Sequence, residues 1–232
     1  MSDEKKICVS ILEETVEQAL ARAQEVAGLA DVIEIRLDSL AKPAISPFLA
    51  SIDKPLLFTN RPTWEGGRFV GTESARVALL LEAALSGAAY VDLEVKSGPD
   101  LMQQLLAAAA QGGRTKVIAS WHSLSVTPSM QGLLAILQEQ YRSGAQIGKI
   151  VTMALAPLDM VRPLQLLVEA AEIDFPLIAF CMGRPGKVSR IATIEMGGFM
   201  TYAAPDNGTP AASGQIQIST LRKILAGLAE DF

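Results

Sequence analysis

One lysine in the 232-residue sequence lies where a charged side chain is unexpected. Lys149 falls within IGKIVTM, residues 147–153, an apolar and β-branched run with the length of a buried strand. Removal from water disfavours the charged form of an amine, and a neutral amine adds to ketones and aldehydes to form a Schiff base. The single histidine, His122, suits removal of a proton beside the resulting iminium carbon. The pair indicates carbonyl chemistry, and a structural role for either residue is the alternative.

A second group of polar residues forms the segment MGRPGKVSR, residues 182–190. Arg184, Lys187, Ser189 and Arg190 supply donors for an anion, and an arginine fork binds both carboxylate and phosphate. The spacing G-x-x-x-x-G-K-[ST] of a phosphate-binding loop is not met, because Val188 follows the lysine. The segment therefore predicts an anion site of unspecified type, with a surface loop of scattered charge as the alternative.

Short apolar runs alternate with Ala- and Leu-rich helical patterns along the chain, which is typical of one α/β domain built from βα units. Strands are predicted near residues 7–10, 31–37, 56–59, 90–94, 116–120, 147–153, 177–180 and 198–202. Helices are predicted over residues 15–29, 72–86, 100–110, 129–142, 158–171 and 216–230, and a further short helix is predicted to follow the segment 182–190. Eight strands favour a closed (β/α)8 barrel. A doubly wound open sheet shows the same alternation, but it usually has fewer strands, and the chain lacks a G-x-G-x-x-G turn.

Polar residues recur on one face of these strands. In VIEIRLD, the charged Glu34, Arg36 and Asp38 alternate with apolar residues, and in a barrel we expect this face to point inward. The other polar groups expected inside are Ser10, Arg61, Asp92, Glu94, Ser120, His122 and Lys149. Most lie at the ends of their strands, and barrel enzymes carry their active sites at that carboxyl-terminal face. Glu34 and Glu94 are the carboxylates predicted to orient the imidazole. Ordinary ion pairs of Glu34 with Arg36 and of Arg61 with Glu65 are the structural alternative.

Composition restricts the class of protein. The chain has 20 Lys and Arg against 25 Asp and Glu, a net charge of −5, which excludes a nucleic-acid binder that works through a basic face. Cys8 and Cys181 lie in separate apolar runs and are predicted to be reduced, buried thiols of a cytoplasmic protein. One histidine and no Cys-x-x-Cys exclude a histidine- or cysteine-based metal site, although carboxylates alone could hold Mg²⁺. We predict no signal peptide and no membrane span.

The ordered set of motifs resembles type I 3-dehydroquinate dehydratase over nearly the whole chain. It comprises EIRLD at 34–38, an arginine and a glutamate at 61 and 65, DLE at 92–94, SWH at 120–122, GKIV at 148–151, MGRPGKVSR at 182–190, and then MTYA and SGQ. Each motif alone is weak, but their order and separations together are specific. The resemblance implies a (β/α)8 barrel with residues 1–232 as one catalytic domain, commonly a homodimer. Such a protein converts 3-dehydroquinate into 3-dehydroshikimate and water in aromatic amino acid biosynthesis, without a cofactor.

The resemblance also implies roles for individual residues. Lys149 matches the Schiff-base lysine and His122 matches the general base and acid. Glu94 falls on the carboxylate beside the histidine, and Arg190 falls on the position that meets the substrate carboxylate. The other implied substrate-binding positions are Ser10, Glu34, Arg36, Arg61 and Gln215, and Met182 and Tyr202 are expected to line the pocket.

The segment before the last helix departs from the family pattern. Where the family reads S-A-P-G-Q, residues 211–215 read A-A-S-G-Q, so Ala211 replaces the usual serine. Ser213 lies two residues further on and, in an extended loop, would face the same side, so we predict that it supplies the missing hydroxyl. If the loop keeps the family's register, Ser213 stands at the family's proline and faces away. Residues 203–213 are rich in Pro, Gly, Asn and Ala and are expected to form a lid over the barrel mouth.

Two other functions fit the same residues. A class I aldolase would use the lysine to break a carbon–carbon bond, often in a phosphorylated sugar, so dependence on substrate phosphate separates it from a dehydratase. A catalytically inactive barrel that only binds a ligand is the alternative from another class. The intact Lys149 and His122 argue against this last alternative.

Overall fold

Eight parallel strands curl around a common interior, and helices cover their outer faces. The computed structural model describes residues 5–229. The strands are β1 (Ile7–Ile11), β2 (Val32–Arg36), β3 (Leu56–Thr59), β4 (Tyr90–Glu94), β5 (Lys116–His122), β6 (Ile147–Met153), β7 (Leu177–Met182) and β8 (Thr201–Ala204), followed by the two-residue β9 (Ile216–Gln217). The helices are α1 (Val16–Val26), α2 (Ser46–Ser51), α3 (Glu73–Leu85), α4 (Pro99–Gly112), α5 (Met130–Arg142), α6 (Val161–Glu172), α7 (Ser189–Glu195) and α8 (Ile218–Ala229).

The sheet curls until its strands β7 and β8, which form no ladder with each other, come into contact. Strands β1 to β7 pair in parallel with their neighbours in the chain, and β8 returns to pair with β1. The backbone N–H of Phe199, just before β8, donates to the carbonyl of Leu177 at the start of β7 over 2.8 Å. The rings of Phe180 and Tyr202 also meet across this junction, with centroids 5.9 Å apart. The predicted (β/α)8 barrel in a single domain is therefore confirmed.

Most predicted elements are present, and the differences have local causes. Helix α2 was not predicted because six residues are too few to show a helical period. Strand β8 begins at Thr201 rather than at 198, because Gly198 belongs to a tight turn in which its N–H donates to Thr193 O over 2.7 Å. Residues 216 and 217 are extended and pair with β8, so the last helix begins at Ile218. Its predicted end at residue 230 lies outside the described residues.

Side chains divide the structure into an inner and an outer core. The helices pack on the outward faces of the strands through residues such as Leu80, Leu105 and Leu166. Several helices begin with a side-chain cap; Thr15, for example, forms a reciprocal capping box with Gln18 at the start of α1. Among residues 5–229, no helix is long and apolar enough to cross a membrane. Cys8 and Cys181 are both free and buried, as predicted.

The inward faces of the strands form layers. The layer at the amino-terminal end is apolar and consists of Cys8, Val32, Leu57, Ile118, Ile147, Ile178 and Met200. Two residues further along the strands comes a second buried layer: Ser10, Glu34, Thr59, Asp92, Ser120, Lys149, Phe180 and Tyr202. Because strand side chains alternate between faces, this second layer also points inward. The polar residues are thus concentrated toward the carboxyl-terminal ends of the strands.

Candidate active site

A cavity of about 90 Å³ opens at the carboxyl-terminal ends of the strands. Eight of the nine predicted site residues line it: Ser10, Glu34, Arg36, Arg61, His122, Lys149, Arg190 and Gln215. Met182 and Tyr202 line it as well. Glu94 is the exception. The barrel therefore brings together residues that are spread over more than 200 positions of sequence.

Lys149 lies in the middle of β6 with its amine inside this cavity. Its Nζ donates to Asp92 Oδ2 over 3.0 Å and to the Tyr202 hydroxyl over 3.1 Å, and Glu34 Oε1 lies 3.9 Å away. The backbone is fixed from the outside, where Gln140 Nε2 donates to the Lys149 carbonyl over 2.8 Å. The preceding residue, Gly148, leaves room for this amide, since a Cβ there would lie 2.8 Å from Gln140 Oε1. The lysine is therefore held among polar partners rather than among apolar side chains alone.

His122 ends β5, and its ring is held by Glu65. Glu65 Oε2 lies 2.9 Å from His122 Nδ1 and also accepts from the His122 backbone N–H over 3.1 Å. Because Nδ1 is engaged in this way, Nε2 is the nitrogen left to exchange a proton with a ligand. Burial, reinforced by the positive charges of Arg61 and Lys149, lowers the pKa of His122 well below its ordinary value. The imidazole is consequently neutral at neutral pH.

The carboxyl group of Glu65 also has a shifted pKa. Burial raises the pKa of Glu65 from 4.5 to about 8, against the opposing effect of Arg61. A tight turn after β3 carries Glu65 to the histidine, and Gly67 makes this turn possible. A Cβ on Gly67 would lie only 1.9 Å from the Arg61 carbonyl oxygen, so no other residue type fits there.

The predicted position of Glu94 beside His122 is corrected. Glu94 Oε1 accepts a short hydrogen bond from Arg61 Nη1, and its Oε2 lies 2.6 Å from Arg76 Nη1. Glu65 takes the place expected for Glu94 because the turn after β3 reaches over the barrel mouth. The spacing of Arg61 and Glu65 is the available signal in the sequence, but it fits an ordinary ion pair equally well. The expectation that Glu34 orients the imidazole is wrong too, because Glu34 accepts from Ser10 and Thr59.

Arg61 organises the carboxylates of the site. Its Nη2 donates to Asp92 Oδ1 over 2.8 Å, and its Nη1 donates to Glu94 and to Ser120 Oγ. Burial alone would raise the pKa of Asp92, but Arg61 and Lys149 outweigh it and hold that pKa below its ordinary value. Asp92, which sequence reasoning did not single out as a site residue, is therefore the ionised partner of the lysine.

Arg36 is paired within the site. Its Nε and Nη2 donate to the two carboxylate oxygens of Asp38 over 2.8 and 2.7 Å. Asp38 in turn accepts from the backbone N–H groups of Arg61 and Arg68. The guanidinium of Arg36 thus lines the cavity in a fixed orientation.

Unlike Arg36, Arg190 has no carboxylate of residues 5–229 within ion-pair distance. Its guanidinium is buried, stacks on the Phe180 ring at 4.5 Å, and reaches only the carbonyl of Ser213, over 3.4 Å. Burial lowers the pKa of Arg190 to about 10. Of the cationic residues in the segment 182–190, only Arg190 enters the cavity, because Arg184 and Lys187 are exposed. A buried cation without an acid favours an anionic ligand.

The segment before α8 contradicts the role predicted for Ser213. Gln215 lines the cavity, and its Oε1 accepts from the backbone N–H groups of Ala211 and Ala212. Ser213 is exposed and does not line the cavity, and only its carbonyl contacts Arg190. The prediction assumed an extended loop, whereas residues 213 and 214 form a turn with Gly214 at φ 81°. Alternation of faces therefore does not apply there.

A barrel of parallel strands with a lysine, a histidine and an arginine around one cavity at the carboxyl-terminal ends of the strands has the architecture of a (β/α)8-barrel enzyme. The sequence model of the type I 3-dehydroquinase family matches residues 7–231, and the chain belongs to this family. A 3-dehydroquinate dehydratase of Desulfotalea psychrophila is 47% identical over 222 residues, which cover 96% of this chain and 97% of the relative.

Solved structures agree with the family. The type I 3-dehydroquinate dehydratase of Clostridium difficile, solved with covalently modified comenic acid, superposes with a TM-score of 0.87 at 27% identity and covers 97% of this chain and 92% of that one. A 3-keto-L-gulonate-6-phosphate decarboxylase of Vibrio cholerae has a TM-score of 0.63 at 14% identity, over 98% of this chain and 100% of that one. This second likeness extends to the fold alone.

Proposed function

We propose that the chain catalyses the dehydration of 3-dehydroquinate to 3-dehydroshikimate and water, in the shikimate pathway of aromatic amino acid biosynthesis. The single observation that carries the proposal is the convergence of Lys149, His122 and Arg190 on one cavity. Lys149 supplies the nucleophile for the ketone, His122 the proton acceptor, and Arg190 the cation for the carboxylate. Membership of the type I 3-dehydroquinase family supports the assignment.

The reaction begins at the amine of Lys149. Its nitrogen adds to the substrate ketone, and loss of one water gives an iminium ion that withdraws electrons from the adjacent carbon. The neutral His122 takes a proton from that carbon through Nε2, which produces an enamine. The electron pair then expels the hydroxyl group on the next carbon, and the imidazolium returns its proton to form the second water. Hydrolysis of the remaining imine consumes one water and releases the product, so one water is lost overall.

Neighbouring residues support these steps. When His122 becomes positively charged, Glu65 Oε2 accepts a hydrogen bond from Nδ1 and so holds the imidazolium in place. Asp92 and Tyr202 hold the Lys149 nitrogen. We further propose that Ser10, Glu34, Arg36 and Gln215 bind the substrate, because all four line the cavity. Glu94 has no part in holding the imidazole, because its two oxygens face Arg61 and Arg76.

A lid forms a further part of the proposal. Residues 201–204 belong to β8, so the irregular part of the predicted lid begins at Pro205. Ala211 and Ala212 line the cavity from this segment, which supports a role in covering the bound substrate. We also propose that the protein is a cytoplasmic homodimer; sedimentation equilibrium at micromolar concentration would measure the mass of the assembly.

A trapping experiment tests the proposed mechanism. The protein is mixed with 3-dehydroquinate, the enone absorbance of the product is followed, and sodium borohydride is added to a parallel sample. We expect turnover, inactivation by borohydride, and a ligand mass on the peptide that contains Lys149. Lys187→Met, at an exposed lysine of the 182–190 loop, is the matched control and should label normally. Label on another lysine would contradict the role of Lys149, and absence of turnover would contradict the function.

A further inference from the structure

Arg76 is a fully buried arginine outside the cavity. It lies on α3, and its guanidinium contacts Asn60 O, Ser97 Oγ and both carboxylate oxygens of Glu73. Its Nη1 also lies 2.6 Å from Glu94 Oε2. Glu73 is partly exposed, whereas Glu94 is fully buried. A buried guanidinium is costly unless it is paired, and the acid on its inner side is Glu94.

Glu94 links Arg76 to the reacting amine through groups of alternating charge. Arg61 bridges Glu94 and Asp92, with 2.8 Å between its Nη2 and Asp92 Oδ1. Asp92 in turn holds the amine of Lys149 at 3.0 Å through its other oxygen. The charges therefore run positive, negative, positive, negative, positive from Arg76 to Lys149. Glu65 lies 3.9 Å from Arg61 and Glu34 lies 3.9 Å from Lys149, but the contacts of both cations with Asp92 are shorter, at 2.8 and 3.0 Å.

We propose that Arg76 is a positioning residue for the reaction: it keeps Glu94 ionised and thereby holds Arg61 and Asp92 in place against the Lys149 amine. The inference rests on the proposed function. Arg76 itself does not line the cavity and touches no reacting atom. Its effect reaches the chemistry only through the side chains between them.

The charges around Glu94 indicate what the loss of Arg76 would do to it. Burial raises the pKa of Glu94, Arg61 and Arg76 oppose this effect, and Asp92 reinforces it. Glu65, in the turn after β3, is the other acid that interacts with Glu94. Without Arg76, one of the two opposing cations is removed, and the carboxyl group takes up a proton at a higher pH. A protonated Glu94 no longer attracts Arg61 as an anion, and Asp92 loses its fixed partner.

The test compares the pH dependence of three variants with that of the wild type. In Arg76→Met, we expect kcat relative to wild type to fall about tenfold at low pH, as for loss of one charge-assisted contact. The ratio should recover as the pH rises and Glu94 ionises, while KM changes less than kcat. Glu94→Gln cannot titrate and should be reduced to the same extent at every pH. Arg76→Met/Glu94→Gln should equal Glu94→Gln, because Arg76 then has no ionised partner to act on.

Two further variants make the outcomes distinct. Arg76→Lys keeps the positive charge, so its kcat relative to wild type should show no additional loss at low pH. Glu73→Gln removes the outer acid of Arg76 and should leave the pH profile unchanged. The inference is overturned if kcat of Arg76→Met relative to wild type does not change with pH. It is also overturned if kcat of the double variant is lower than that of Glu94→Gln. If Arg76→Met does not fold, the comparison of the double variant with Glu94→Gln still decides it. Absence of turnover in the wild type would instead refute the proposed function.

Discussion

At the amino-terminal end of the barrel the inward side chains are apolar, whereas one layer further along the same strands most of them are charged or polar. Strand β5 shows the change within three residues: Ile118 packs in the apolar layer, and Ser120 bonds to Asp92 and Arg61. The two layers are separated by about 7 Å along the strand. We therefore expect substitutions in the apolar layer to lower mainly stability. Substitutions in the adjacent polar layer should lower mainly the rate of the reaction.

The largest difference between the layers should appear with His122→Ala. Loss of the general base should lower dehydration roughly 10²–10⁴-fold, because no other histidine is present to replace it. Imine trapping by borohydride should continue, since Lys149 is unchanged. Trp121→Phe, on the outward face of the same strand, is the control and should keep its rate within about twofold. Turnover of His122→Ala within a fewfold of wild type would make the histidine structural.

In the apolar layer, Ile118→Ala should reduce stability without changing the chemistry. Truncation of a fully buried isoleucine leaves a cavity and costs about 2–5 kcal/mol in the free energy of unfolding. Denaturant titration measures this loss, and kcat per folded molecule should be unchanged. Ser120→Ala, two residues along, should show the reverse pattern, with lower kcat and less loss of stability. Equal kinetic defects in the two variants would contradict the separation of the layers.

Arg190 extends the comparison to the rim of the charged layer. Replacement by alanine should raise KM about 10- to 100-fold, the equivalent of roughly 1.5–3 kcal/mol for hydrogen bonds to a charged group. kcat should change less if the carboxylate is held equally throughout the reaction. Arg184→Ala removes an exposed arginine of the same segment and should leave KM unchanged. A defect confined to kcat would place Arg190 near the reacting carbons.

Glu65→Gln should change the pH dependence of stability. Because burial raises the pKa of Glu65 from 4.5 to about 8, the folded protein keeps a proton that the unfolded chain releases between these values. The free energy of unfolding therefore falls as the pH rises through this window, by at most about 1.4 kcal/mol per pH unit. Glutamine cannot titrate, so the difference between variant and wild type isolates this contribution. Urea midpoints at pH 5, 6, 7 and 8 measure it, and parallel curves would refute it.

The smallest effect is expected for Ser213→Ala. The side chain of Ser213 is exposed and does not line the cavity, and the contact with Arg190 uses the backbone carbonyl, which alanine retains. KM and kcat should both stay within about twofold of wild type. A rise in KM would show that the turn at residues 213 and 214 opens when substrate binds and turns the hydroxyl inward.

Sequence reasoning located most of the fold because its evidence is local. Strands β3, β4 and β6 have the predicted bounds, since each is a run of four to seven residues that are mostly apolar or β-branched. The missed elements, α2 and β9, have six and two residues, too few for a periodic pattern. Strand alternation also identified Lys149 and His122 as inward residues. Alternation depends only on the neighbouring backbone, so it can be read from the sequence without knowledge of the partners.

Partners of these residues were decided by the tertiary structure. Glu65 rather than Glu94 holds His122, because a turn that requires Gly67 folds over the barrel mouth. Asp92 faces Lys149 across two intervening strand pairings, and Arg76 enters the charged layer from a helix. The sequence by itself determined which residue types point into the barrel, since burial and parity are properties of each strand. Which of them meet depends on strand register and loop path, and these are set by packing between segments that are distant in the chain.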